Sequence, residues 1–220
     1  MCFSPEVDVV AGLAIGAVGI DAVRHVRRPA ERLLAAVPLV FAVHQLVEAF
    51  VWWGLQGKVP SEVGRVAEWL YLVIAFGVLP VLVPLAVAAL EPVTHRRRMQ
   101  AFVVLGVVVA TVLMYALMRG PYTAAIEGHH IDYRVDLWHG GALVVLYVVA
   151  TCGSLLASEH RHVRAWGAVN LVVVLLLAWL NRSGFISLWC VWAAITSVAI
   201  AWHLRHASRE PDVEAVALRG

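Results

Sequence analysis

Two cysteines, a glutamate and a histidine are the residues of this chain whose types best suit metal chemistry: Cys2, Glu48, His139 and Cys190. Thiolate, carboxylate and imidazole are the usual ligands of zinc, and they suit copper in a more reducing environment. A helical rise of about 1.5 Å per residue places Glu48 and Cys190 roughly one to two turns below the same surface. We therefore predict that these four residues meet at a metal site.

A second group of polar residues would surround that site. Its members carry imidazole, amide, carboxylate and hydroxyl groups, and they are His44, Gln45, Asp136 and Ser187. His44 and Glu48 are four residues apart, so they share one face of a helix. We expect the group to orient the ligands or to act in acid–base steps. We expect Glu48 to be buried, and to bind a metal or to be hydrogen-bonded to a neighbour.

No spacing motif fixes this constellation, so several interpretations stay open. The first is a metal or thiol site with hydrolytic or redox activity. In the second, His44 and Glu48 hold helices together in a non-catalytic membrane subunit or a scaffold that binds a small molecule. The third is a transporter or proton path, which the apolar residues 39–43 below His44 disfavour. Cys2 and Cys190 could instead form a disulfide, which an external location would permit.

Seven apolar stretches, separated by short polar segments, must position these residues. They cover approximately residues 7–23, 33–54, 69–90, 100–118, 137–157, 163–180 and 185–204. Each is of roughly membrane-spanning length, and the chain is 61% hydrophobic and 15% charged. The sequence therefore predicts an all-α, polytopic bundle of seven transmembrane helices over residues 1–207. A polar cytoplasmic tail would follow over residues 208–220.

The distribution of positive charge gives the predicted bundle an orientation. Apart from Arg219, eleven arginines fall in the segments that would lie on one side of the membrane. Only five basic residues fall on the other side, and these are Lys58, Arg65, Arg119, Arg134 and Arg182. Because cytoplasmic loops carry the excess of Lys and Arg, the N-terminus should be outside and the C-terminus inside. The metal site would then lie in the outer half of the bundle.

Local features add three expectations about the helices and their connections. Gly12 and Gly16 are four residues apart in the first stretch and predict tight packing of that helix. Pro80 and Pro84 should kink the third helix. Residues 120–136 form the longest connection. We expect an external, solvated loop there, whose histidines either guide cations to the site or face solvent.

Several cofactors and partners are disfavoured by the sequence. Lys58 is the only lysine and lies between predicted helices, so a retinal Schiff base on a span is excluded. Histidines do not form facing pairs at matching depths, which argues against haem. A net charge of +2 gives no support for a nucleic-acid partner. The expected partners are the lipid bilayer and, in an assembly, a second copy of the chain or another membrane subunit.

Short motifs give the chain a resemblance to a known family. They are the opening Met1-Cys2-Phe3-Ser4, Glu48 with Trp52-Trp53, and Ser187-Leu188-Trp189-Cys190 followed by Ala193, Ala194 and Ser197. In these motifs the chain resembles an uncharacterised family of short bacterial seven-helix membrane proteins. The resemblance implies a multi-pass protein of the bacterial inner (plasma) membrane with no established activity. It also places Cys2 and Cys190 among the residues that mark the family.

Overall fold

The computed structural model describes residues 4–92, 94–128, 130–137, 139–180 and 185–207, without the side chains of 177–180, 185–191 and 206–207. Within these residues the chain forms seven helices and one β-hairpin. In chain order the elements are α1 (Pro5–Arg24), α2 (Arg32–Leu55), α3 (Ser61–Leu90), α4 (Arg96–Arg119), β1 (Tyr122–Glu127), β2 (His130–Val135), α5 (Gly140–Leu156), α6 (Arg161–Leu180) and α7 (Phe185–Ala207).

Each of the seven predicted apolar stretches coincides with one helix, so the helical part of the prediction is confirmed. Among the described residues, three helical segments are long and apolar enough to cross a membrane: Pro29–Leu55, Ser61–Leu90 and Arg96–Arg119. The helix α5 is apolar but has only 17 residues. The helix α1 is less apolar because it carries Glu6, Asp8 and Asp21.

The chain is mostly helical, as predicted, but residues 120–136 are not the solvated loop that the sequence analysis expects. These residues form an antiparallel hairpin in which Tyr122 is paired with Val135. Apolar and polar residues alternate along β2, so one face packs on the helices and Ile131 is buried there. Gly128 has a φ of 61°, the left-handed conformation that tight hairpin turns require.

The helix α3 begins at Ser61, earlier than the predicted start at residue 69, because an amphipathic segment precedes the apolar one. Its backbone widens to a π turn over Ile74–Val78, immediately before Pro80. Proline has no N–H for the carbonyl four residues earlier and its ring crowds that carbonyl, which favours such a distortion. The helix α4 approaches closely here: a Cβ on Gly106 would lie 2.0 Å from the Pro80 carbonyl oxygen.

Glycines bring α1 against α2, as their spacing predicts. A Cβ on Gly12 would lie 2.8 Å from the Leu46 side chain, and one on Gly19 would lie 2.7 Å from the Leu39 side chain. Neither position can hold a larger residue without movement of its neighbour. Gly16 is less constrained, since its Cβ would make an ordinary contact at 3.6 Å. This packing fixes which α1 residues face α2.

The two ends of the bundle differ in chemistry. We call the end that carries β1 and β2 the hairpin end, and the opposite end, where the arginine-rich connections lie, the arginine end. At the arginine end Asp21 of α1 accepts two hydrogen bonds from the Arg205 guanidinium of α7, both at 2.7 Å. From the sequence alone, the nearby Arg24 and Arg28 would be the expected partners of Asp21. The Asp21 carboxylate instead joins the first and last helices through Arg205.

Candidate functional site

Two carboxylates are fully buried at the hairpin end, close enough for their charges to interact. They belong to Asp8 of α1 and Glu48 of α2, and both side chains have an exposed fraction of 0%. Asp8 lies one turn before Gly12, on the same face of α1. The close packing at Gly12 therefore turns the Asp8 carboxylate toward α2 and toward Glu48.

The immediate surroundings of this pair offer donors but leave Asp8 without a completed hydrogen bond among the described residues. Trp52 Nε1 lies beside the Asp8 carboxylate, and the Tyr71 hydroxyl lies beside Glu48. Neither donor completes a hydrogen bond of normal geometry within the described residues, and neither Asp8 oxygen has a partner there. A buried carboxylate without partners is strongly disfavoured. The pair is therefore suited to hold a proton, a cation or a polar group from elsewhere.

Three stacked rings lie against the carboxylate pair and join α2, α3 and β2. The ring centroids of His44 and Tyr71 are 4.0 Å apart, with 16° between the planes. Those of Tyr71 and Tyr133 are 4.4 Å apart, with 10° between the planes. Burial, together with the negative charge of Glu48, raises the pKa of the Tyr133 hydroxyl well above its usual value. Tyr133 therefore stays a neutral hydrogen-bond donor at the edge of the site.

Comparison with known proteins places the chain in a family. The model of a family of unknown function, DUF6629, matches residues 1–215. The chain belongs to DUF6629. No curated protein and no solved structure matches it. The matched range contains every residue of the predicted site, but the family description assigns no activity, so the chemistry of this DUF6629 protein must follow from its own side chains.

Three of the residues in the predicted site are buried together on α2. Glu48 is buried, as expected, and His44 and Gln45 are buried on the same helix. His44 stacks on Tyr71 rather than extending into an open cleft. The side chains of the helix α2 thus form a polar core at the hairpin end of this DUF6629 protein.

The other predicted ligands do not add to that core in the described part of the chain. His139 is exposed and precedes α5 with a left-handed φ of 56°, and Asp136 is exposed as well. Cys2 and the side chains of Ser187 and Cys190 lie outside the described residues, so the approach of the two cysteines stays a prediction. Among the described side chains, no group of three or more His, Cys, Asp or Glu residues could hold a metal ion.

Asp8, Tyr71 and Tyr133 are the site residues that the sequence analysis missed. Asp8 continues the face of α1 that carries Gly12 and Gly19, and this spacing was an available signal. Tyr133 lies on the buried face of an alternating strand, a signal hidden by treating residues 120–136 as a loop. For Tyr71, within an apolar helix, no local signal marks the contact with Glu48.

Proposed function

We propose that this DUF6629 protein is a multi-pass protein of the bacterial inner (plasma) membrane whose Asp8–Glu48 pair binds a metal ion, zinc or copper, on the outer side. One observation carries the proposal: Asp8 is fully buried beside Glu48, and its oxygens have no hydrogen-bond partner among the described residues. Two buried carboxylates repel each other, and each is costly to remove from water. A cation between them removes both penalties.

The proposed ligand set combines these carboxylates with the cysteines. Asp8 and Glu48 alone make too small a set, so Cys2 and Cys190 would complete a tetrahedral shell. Cys2 precedes Asp8 by only six residues, which keeps its thiol within reach of the hairpin end. His139 remains a further proposed ligand. A zinc ion held by only three of these side chains would keep an open position at which it could activate water for hydrolysis, whereas a copper ion would support a redox reaction.

The outer surface of the helices supports the membrane location. Large apolar side chains point away from the bundle on several helices: Val10 of α1 is 68% exposed, Val104 of α4 is 61% exposed and Val172 of α6 is 63% exposed. Exposed apolar surface of this kind is stable against lipid and unstable against water. The concentration of arginines at one end supports an orientation with that end in the cytoplasm and the hairpin end outside.

The ring stack favours a second candidate, a non-catalytic membrane scaffold. His44, Tyr71 and Tyr133 join two helices to the hairpin through flat ring contacts. In this case the two carboxylates would share a proton, and the polar core would serve to hold the helices in register. A transport path ranks below both candidates, because residues 39–43 of α2 provide no polar continuation toward the arginine end.

Metal analysis of the purified full chain separates the two candidates. The protein is produced in medium supplemented with zinc and copper, purified in detergent and measured by mass spectrometry of the elements. We expect a stoichiometric metal in the wild type, its loss in Asp8→Asn and Glu48→Gln, and its retention in Glu68→Gln. Glu68 is a matched control, a partly buried carboxylate on α3. Metal-free wild type that gains no thermal stability on addition of either metal would favour the scaffold.

The cysteines are tested in the same assay. Replacing Cys2 or Cys190 with Ser should lower the metal content to a similar degree, because the two thiolates would belong to one shell. Retention of the full metal content in both variants would limit the ligand set to the carboxylates and His139.

A further inference from the structure

A cavity of about 490 Å³ lies between α2, α3, α5, α6 and α7, well separated from the carboxylate pair. None of its lining residues belongs to the polar core at the hairpin end. The cavity extends to His162 and His203 near the arginine end. Its volume is in the range of small-molecule sites, about 300–1,000 Å³, and such sites commonly lie between the helices of a bundle.

The walls of the cavity are largely apolar and elongated. Phe41, Leu79 and Ile200 line it together with the stacked indoles of Trp166 and Trp192, whose ring centroids are 5.2 Å apart. Along α7 the lining residues run from position 192 to position 203. Eleven residues at about 1.5 Å each correspond to roughly 16 Å. An extended hydrocarbon chain fits a space of this shape and polarity.

The polar groups inside the cavity are mostly engaged with each other. Asn170 donates from Nδ2 to the Cys152 sulfur at 3.3 Å and accepts a hydrogen bond from Trp192 Nε1. The Tyr147 hydroxyl donates to the carbonyl of Ala75 at 3.0 Å. In contrast, Trp166 Nε1 is buried and has no hydrogen-bond partner in the described part of the chain. The interior therefore offers a donor to a ligand that carries an acceptor.

The end of the cavity nearest the arginines favours an anionic group. The rings of His162 and His203 lie there with centroids 4.4 Å apart. His162 is in the first turn of α6, close to Arg161 and Arg164, where the helix dipole favours negative charge. Trp166 follows His162 by four residues, so both lie on the same face of α6. One acidic group could contact both side chains.

We propose that this cavity binds a fatty acid, with the carboxylate between His162, His203 and Trp166 Nε1 and the hydrocarbon chain directed toward Phe41 and Trp192. The apolar walls recognise the chain, and the imidazoles and the indole N–H recognise the carboxylate. This inference is independent of the metal site at the hairpin end, and neither depends on the other.

Binding of radiolabelled palmitate to the full chain in detergent, measured by scintillation proximity, tests this inference. We expect saturable binding that unlabelled palmitate displaces at least about tenfold more strongly than its methyl ester, which lacks the charged head. Equal displacement by acid and ester would show that the head is not recognised and would overturn the proposal. Palmitate binding that does not saturate, or that unlabelled palmitate does not displace, would also overturn it.

Two pairs of variants locate the binding. Trp166→Phe removes the N–H and keeps an aromatic ring, so affinity for palmitate should fall by about tenfold, as expected for a hydrogen bond to a charged group. Trp69→Phe, at an exposed tryptophan of α3, should leave the affinity unchanged. Ala199→Phe should abolish binding by filling the cavity, whereas Val198→Phe, on the exposed face of α7, should not. Wild-type affinity in Trp166→Phe would refute the proposed position even if Ala199→Phe failed to fold.

Discussion

The buried carboxylates at the two ends of the bundle differ in their hydrogen bonding. Glu91, directly after α3 near the arginine end, is only 2% exposed but accepts hydrogen bonds from the Ser158 hydroxyl and from the backbone N–H of Glu159 at 3.1 and 3.2 Å. Asp8 at the hairpin end is also buried, but its oxygens complete no hydrogen bond with a described residue, although Trp52 Nε1 lies beside them. Burial alone therefore does not mark a functional carboxylate, and the lack of a completed hydrogen bond is what makes Asp8 the candidate.

This contrast assigns different roles to the two groups. Glu91 closes the gap between the end of α3 and the connection of α5 to α6, and its bonds are complete without any ligand. The Asp8 oxygens complete no hydrogen bond among the described residues, so a proton, a cation or another chain segment beside them would lower the cost of burying this carboxylate. The same residue types thus form a structural clamp at one end and a candidate binding site at the other.

Removing the Glu91 carboxylate should give the largest change in the stability of the protein. Replacing Glu91 with Ala leaves the Ser158 hydroxyl and the Glu159 N–H without their acceptor in a buried position, and should destabilise the protein by about 3 kcal/mol. Thermal unfolding in detergent measures the change. Glu91→Gln retains one acceptor oxygen and should lose less stability than Glu91→Ala. A melting temperature unchanged in Glu91→Ala would remove the distinction between the two ends.

Disturbing the packing that positions Asp8 should have a somewhat smaller effect. Gly12→Ala places a Cβ 2.8 Å from Leu46, which forces α1 away from α2 and should cost about 2 kcal/mol. Gly16→Ala is the matched control, because its Cβ has room at 3.6 Å. Comparable melting temperatures for the two variants would show that close packing of α1 does not hold Asp8 in place.

Neutralising Asp8 should change stability in the opposite direction from the loss of Glu91. In metal-depleted protein, Asp8→Asn removes a buried group whose charge has no donor in the described structure, so stability should rise by about 1 kcal/mol. In metal-loaded protein the same change should lower stability, because a ligand is lost. A decrease under both conditions would place Asp8 in the same class as Glu91.

The smallest effect is expected at the edge of the ring stack. Tyr133→Phe keeps the ring against Tyr71 and removes only a hydroxyl without a hydrogen-bond partner among the described residues, so stability should change by less than about 0.5 kcal/mol. Tyr133→Ala removes the ring and should be clearly destabilising. If Tyr133→Phe is as unstable as Tyr133→Ala, the hydroxyl has a structural bond to a part of the chain beyond the described residues.

The seven helices can be predicted from residue order, because each one is a long apolar run bounded by polar segments. The Gly12–Gly16 spacing also predicted close packing of α1, whereas the partner helix α2 and the tight contact at Gly19 come from the structure. The burial of Glu48 followed from its position within an apolar helix. Membrane insertion, the N-terminus outside and the metal ligands stay predictions from the same patterns.

Which polar groups meet depends on how the helices and the hairpin pack together. Asp8 and Glu48 are forty residues apart in sequence, and Tyr71 and Tyr133 belong to two further elements. No local pattern specifies contacts between elements, because helical periodicity defines a face but not the partner of that face. The hairpin was missed for a related reason: a short alternating strand is stable only when it packs on a surface that other elements supply. The site exists because packing at Gly12 and docking of the hairpin bring four separate segments together.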